Sequence, residues 1–136
     1  MVLVGDDHPR ATREAVYWAD LKAETLLLSD HDPGPEFHDL LVAKLASPGD
    51  RPKIAHHDAS RGSLRCLVGA GFGITLLTEA SVGASFSGVV CKEVRDNAEP
   101  TRISYSAHWR GDNLNPALAS FLKILGERYT LPMVAE

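Results

Sequence analysis

Apolar residues along this chain fall into two rhythms. Short continuous runs, such as Thr25-Leu26-Leu27-Leu28-Ser29 and Gly73-Ile74-Thr75-Leu76-Leu77, have the length and continuity of buried strands, and Lys53-Ile54-Ala55-His56-His57, after Pro52, reads as a further strand. Met1 to Gly5 is a further run of this kind, standing at the first residue with no cap or turn before it, as in a chain cut mid-domain. Between the runs the spacing turns helical. After Asp32-Pro33-Gly34-Pro35, apolar residues recur at Phe37, Leu40, Leu41 and Leu45 until Ser47-Pro48-Gly49 stops the pattern. A second helix opens near Ser60 as N-cap, turns Leu64, Leu67 and Val68 inward, and ends at Gly69 and Gly71.

A short polar-apolar stretch around Val16, Trp18 and Leu21 leads into the strand at Thr25. Val89 to Val94 and Arg102 to Trp109 read as two later strands, the second partly alternating, joined by a polar link from Arg95 to Thr101. The chain closes on a helix: Asn115 is its N-cap, Pro116 its first residue, and Leu118, Phe121, Leu122, Leu125 and Tyr129 its apolar stripe. Strands alternating with helices predict an α/β fold with parallel βαβ crossovers.

The chain has 136 residues, with 14 Lys or Arg against 18 Asp or Glu, a formal charge of −4. That is one domain's worth of chain. A 44% hydrophobic and 24% charged composition is that of a folded domain. With no cluster of Lys and Arg, this stretch offers little to a phosphate backbone. No apolar run approaches the roughly 20 residues a bilayer needs, and the first residues lack a basic leader and cleavage site; the expected location is the cytoplasm. Cys66 and Cys91 lie among apolar neighbours without metal spacing and read as small buried hydrophobes.

Gly69-Ala70-Gly71-Phe72-Gly73 has a dinucleotide-loop look, but it follows a helix and opens a strand, the reverse of what a phosphate cradle requires. A helix C-cap and tight turn is the reading it supports. His56 and His57 are neighbours on a strand and point to opposite faces, so they cannot share one metal ion without a bulge; Asp30-His31-Asp32 and His38 could join one of them, but nothing in the sequence brings them together, and no metal or cofactor is expected. No Ser or Cys stands in a nucleophile motif, and no catalytic residues are expected. The order strand, Asp58-Ala59-Ser60-Arg61, helix is more informative. Open α/β sheets bind ligands beyond the carboxyl ends of their strands, where free N–H groups at helix starts attract anions. Ser60 and Ser63 add hydroxyls and Arg61 adds a fork suited to a carboxylate, while Asp58 opposes an anion unless it is paired. Ser29 and His31 close a second strand end. Ser60 as a plain N-cap and Arg61 as a solvated charge are the competing readings, and the sequence leaves them open.

Several segments, in order, resemble the effector-binding domain of LysR-type transcriptional regulators. His8-Pro9-Arg10-Ala11 looks like the family's His-Pro-Leu-Ala segment, and Leu26-Leu27-Leu28 with Asp32-Pro33-Gly34-Pro35 like its next strand and loop. Leu67-Val68-Gly69-Ala70-Gly71-Phe72-Gly73-Ile74-Thr75-Leu76-Leu77 resembles the family's most specific block. Val89-Val90, Trp109-Arg110 and Asn115-Pro116-Ala117-Leu118 with Phe121-Leu122 resemble its closing strand and helix. Arg10 in place of leucine and Thr78 in place of proline depart from the pattern.

The resemblance implies a type II periplasmic-binding-protein-like fold, with one complete subdomain (residues 1–98) and the returning crossover strand and C-terminal helix of the other (residues 99–136). It implies a small-molecule effector, often an organic acid, at Asp58 to Ser63, chiefly Ser60 and Arg61, with Ser29 and His31 second. It also implies DNA contact only through a winged helix-turn-helix outside this stretch; self-association is expected from the apolar stripe of the closing helix, and no membrane partner from the short apolar runs. A stand-alone solute-binding module is the alternative reading, and a small metal-dependent hydrolase using His56 or His57 with Asp58 a remote one.

Overall fold

The computed structural model describes residues 1–31, 34–82, 86–104 and 106–129. Two compact units are present, residues 1–103 and 104–136.

The first unit is a mixed sheet covered by helices on both faces. Its strands are β1 (Val2–Gly5), β2 (Ala15–Tyr17), β3 (Thr25–Ser29), β4 (Lys53–His57), β5 (Thr75–Leu76), β6 (Val89–Asp96) and β7 (Glu99–Pro100). Its helices are α1 (Trp18–Leu21), α2 (Gly34–Leu45) and α3 (Arg61–Gly69). β4 pairs parallel with β3 in the register Leu28↔His56 and Ser29↔His57. β3 meets the approach to β5 through a parallel Leu26↔Ile74 bridge, with Leu27 N–H donating to the Ile74 carbonyl at 2.8 Å. β1 then pairs antiparallel with both β5 and β6, and β2 pairs parallel with β6. The spatial order is therefore β4-β3-β5-β1-β6-β2. The expected parallel crossovers are present as β3-α2-β4 and β4-α3-β5, while β1 runs against its neighbours.

Alternation along the central strands divides the core in two. Leu26 and Leu28 join Phe37, Leu41 and Leu45 of α2; Leu27, one residue out of phase, joins Leu64 and Val68 of α3. α2 and α3 thus lie on opposite faces, and β3, with helices on both sides, is buried as its unbroken apolar run requires. Leu40 and Leu67, expected inward, are only half-buried at the margins of their stripes. The glycine-rich block is a helix stop, as read from its order: Gly71 takes φ 79°, its N–H reaches the Val68 carbonyl, and the Phe72 N–H reaches that of Leu67, a Schellman arrangement. Gly73 then runs so close to β3 that a Cβ would stand 2.4 Å from the Thr25 carbonyl oxygen.

The structure departs from the sequence reading in four places. Arg102 to Trp109 is not a strand: its described residues carry no ladder, and Ile103 and Trp109 are 39% and 43% exposed. A strand needs another strand to pair with, and among the described residues this segment pairs with none. The supposed polar link is instead a hairpin, in which β6 continues to Asp96, Asn97 turns at φ 56°, and β7 folds back in the register Asp96↔Glu99. β2 and α1 form where only a mixed stretch was read, because Val16, Trp18 and Leu21 are buried. Cys66 is exposed and Cys91 half-buried; the first faces outward from α3, whose inward side is held by Leu64 and Val68.

The second unit holds the closing helix α4 (Pro116–Arg128), with the Asn115 side chain accepting from the Ala117 N–H and proline at its start. None of its residues is buried. Asp32, Pro33 and Tyr105, which belong to segments read from the sequence, lie outside the described residues.

Candidate functional site

At the carboxyl end of β3 the chain leaves for α2 on one face, and at the end of β4 it leaves for α3 on the other. Diverging connections of this kind open a crevice at a sheet edge. Ser29 ties its two lips together: its Oγ donates to the Ala59 carbonyl at 2.9 Å and accepts from the His31 N–H at 3.1 Å. The helix start beside it leaves no room for a side chain, since a Cβ on Gly34 would lie 1.8 Å from the Ser29 carbonyl oxygen.

Between these lips and the turn after β5 lies a cavity of about 50 Å³, walled by Leu28, Phe37, Leu64, Leu76 and Leu77 and edged by Ser29, Thr75, Thr78, Ser81, Arg61 and Arg65. The two arginines, one helical turn apart, both reach Ser81. Arg61 Nη1 stands 3.5 Å from its Oγ, and Arg65 Nη2 donates to its carbonyl at 2.6 Å. Arg65 is further held over the Phe86 ring, 4.2 Å from its centre, so it is a strut, whereas Arg61 is loosely held. The Thr78 and Ser81 hydroxyls meet at 2.9 Å. Among the described residues neither guanidinium has a carboxylate within 4.0 Å, in contrast to Arg10, Arg13, Arg95 and Arg110. An apolar hollow edged by two arginines suits an anion carrying a nonpolar body.

The other residues singled out in the sequence lie around this hollow without lining it. Ser60 caps α3, its Oγ accepting from the Ser63 N–H at 3.1 Å and lying 3.0 Å from the Ser63 hydroxyl. Asp58 does not pair with Arg61; its carboxylate meets His31 Nε2 at 2.9 Å, with both side chains exposed. His56 and His57 diverge as a strand dictates: His56 lies against His38 of α2, while His57 turns a buried Nε2 to the other side. Among the described residues no group of three or more His, Cys, Asp or Glu is arranged to hold a metal ion. Arg65, Thr78 and Ser81 were missed. Arg65 had a signal, its i+4 spacing from Arg61, but Thr78 and Ser81 reach the mouth only because β5 ends beside β3.

A family model described as the LysR substrate binding domain matches residues 1–130. The chain belongs to this family. The LysR substrate-binding domain has the type II periplasmic-binding-protein-like fold, an α/β architecture seen in its solved relatives. One relative is HinK, a LysR family transcriptional regulator from Pseudomonas aeruginosa, 27% identical with a TM-score of 0.65 over 93% of this chain and 43% of that one. The C-terminal domain of a probable LysR family regulator from Rhodococcus sp. RHA1 is 30% identical, with a TM-score of 0.56 over 74% of this chain and 49% of that one. A likeness of fold alone, at 15% identity and TM-score 0.63, joins it to the regulatory domain of Synechocystis CcmR, solved with 2-PG, over 93% of this chain and 61% of that one. The LysR domain described here therefore spans less than half the length of HinK. A comparison with curated proteins finds no match.

Proposed function

We propose that this chain is part of the sensing domain of a LysR-type transcriptional regulator, residues 1–98 forming the second effector-binding subdomain and residues 99–136 returning to the first. The observation that carries the reading is the apolar hollow at the diverging ends of β3 and β4, with Arg61 and Arg65 at its edge and, among the described residues, no salt bridge to either. The effector is a small organic acid. Its carboxylate takes Arg61 as a bidentate fork, which the loose 3.5 Å contact to Ser81 leaves free to turn, and its nonpolar body enters the space between Phe37 and Leu64. Ser29, Ser60 and Ser63 hold the two helix starts in place, and His31 with Asp58 pins the loop ends outside the hollow. Ligand binding shifts the relative orientation of the two subdomains in the whole regulator, and so the presentation of winged helix-turn-helix domains outside these residues. The ligand is sensed, not transformed. A DNA-directed function places the protein in the cytoplasm, and no helix among the described residues is long and apolar enough to cross a membrane.

The test is thermal melting of the chain with short-chain and aromatic monocarboxylates beside their neutral amides. An acid at a hundredfold excess over its Kd adds about 2.7 kcal/mol, a shift of several degrees. Arg61→Ala abolishes the shift and Arg61→Lys restores only part of it, because an ammonium lacks the fork. Equal shifts from acid and amide, or a response untouched by Arg61→Ala, overturn the reading.

A further inference from the structure

We propose that His38 and His56 form a binding site for a single divalent transition-metal ion, separate from the effector hollow. His38 Nδ1, on α2, and His56 Nε2, on β4, stand 3.0 Å apart, with ring centres 5.1 Å apart and planes tilted by 35°. Two imidazole nitrogens each about 2.0–2.1 Å from one ion, at angles between square and tetrahedral, are separated by about 2.8–3.4 Å. The pair already has that spacing.

Asp30 lies on the other side of the His56 ring. Its Oδ1 lies 3.5 Å from His56 Nδ1, which favours the hydrogen on that nitrogen and leaves the Nε2 lone pair turned to His38. A carboxylate behind a ligating histidine is the usual support of a metal site. Both rings stand on fixed elements. α2 is anchored by buried Phe37 and Leu41 either side of His38, and β4 by its five-residue register with β3. Without metal, one hydrogen lies between the two nitrogens. With metal, that hydrogen leaves His38 Nδ1 for solvent and another is taken up at Nε2, so both imidazoles are neutral ligands and no net proton is released. Among the described residues no third side chain completes the shell, so water fills the rest. Nitrogen and water ligands suit Ni²⁺, Cu²⁺ and Zn²⁺ and do not suit Ca²⁺ or Mg²⁺.

The test is isothermal titration of the 136-residue chain with Ni²⁺ and with Zn²⁺, followed by melting in excess metal. One ion per chain is expected, with a rise in melting temperature as α2 and β4 are clamped. His38→Ala and His56→Ala each abolish binding, and Asp30→Asn weakens it about 10- to 100-fold. His57→Ala on the opposite face and Cys66→Ser, which removes the exposed thiol, leave it intact. Circular dichroism of each variant without metal shows that the fold is retained. No saturable binding, or binding that survives both histidine variants, overturns the proposal, and neither outcome bears on the Arg61 site.

Discussion

Ser60 can be a cap, a ligand or both, and the two roles separate by substitution. Its hydroxyl already accepts from the Ser63 N–H, so Ser60→Ala removes an N-cap and costs about 1 kcal/mol in urea unfolding. Ser60→Asp keeps the acceptor and restores stability. If Ser60 also touches the effector, Ser60→Asp still fails to respond to acids, because a second negative charge stands at the mouth. Asp20 is a second residue with a readable consequence. Its carboxylate accepts from the Tyr17 N–H at 3.0 Å, and this bond first, with the charge of Arg13 behind it, holds its pKa below the usual carboxylate range. A depressed folded-state pKa means stability that is present above the unfolded value and lost as pH falls through the folded one. Asp20→Asn therefore lowers stability at neutral pH and flattens the loss on the acid side, read from denaturant midpoints between pH 7 and pH 3. An unchanged acid limb would show that the bond does not survive in solution.

Among the elements, α2 is the one whose start is sterically determined. Gly34 sits where a Cβ would meet the Ser29 backbone oxygen, so Gly34→Ala forces the helix start off β3 and widens the hollow. The expected result is a loss of several kcal/mol, in the range reserved for backbone clashes and core cavities, together with loss of acid binding even at temperatures where the variant is folded. Retained binding would mean that the hollow does not depend on this contact. The same element shows why part of the fold was legible beforehand. β3 was readable to the residue because a strand covered on both faces must be apolar throughout, and the ends of α3 because Ser60 is a cap and Gly71 takes the positive φ of a helix stop. Arg102 to Trp109 misled because alternation describes a strand only when another strand lies beside it. The same limit applied to the site. Ser29 and Arg61 follow from the rule that strand ends face ligands, whereas Arg65, Thr78 and Ser81 meet there through the placement of β5 next to β3, which no local pattern encodes.

For the whole molecule, the unresolved account is the apolar surface of the second unit. α4 has the stripe the sequence announced, yet Phe121 and Ile124 are 54% and 51% exposed, and no residue of the helix is buried. Contiguous apolar surface beyond a few hundred Å² is uncommon on a monomer, and covering it gains about 25 cal/mol per Å². A second copy of this chain can supply that cover, since a twofold axis allows the same face to meet itself. Light scattering across a wide concentration range should therefore show a dimer that dissociates on dilution. Phe121→Asp and Ile124→Asp should each shift it to monomer, with the buried Trp18 of the first unit still reporting an unchanged unfolding midpoint. A monomer at every concentration would overturn the expectation. Loss of the Trp18 transition in either variant would show instead that α4 supports the first unit, and that its exposure is not that of a docking face.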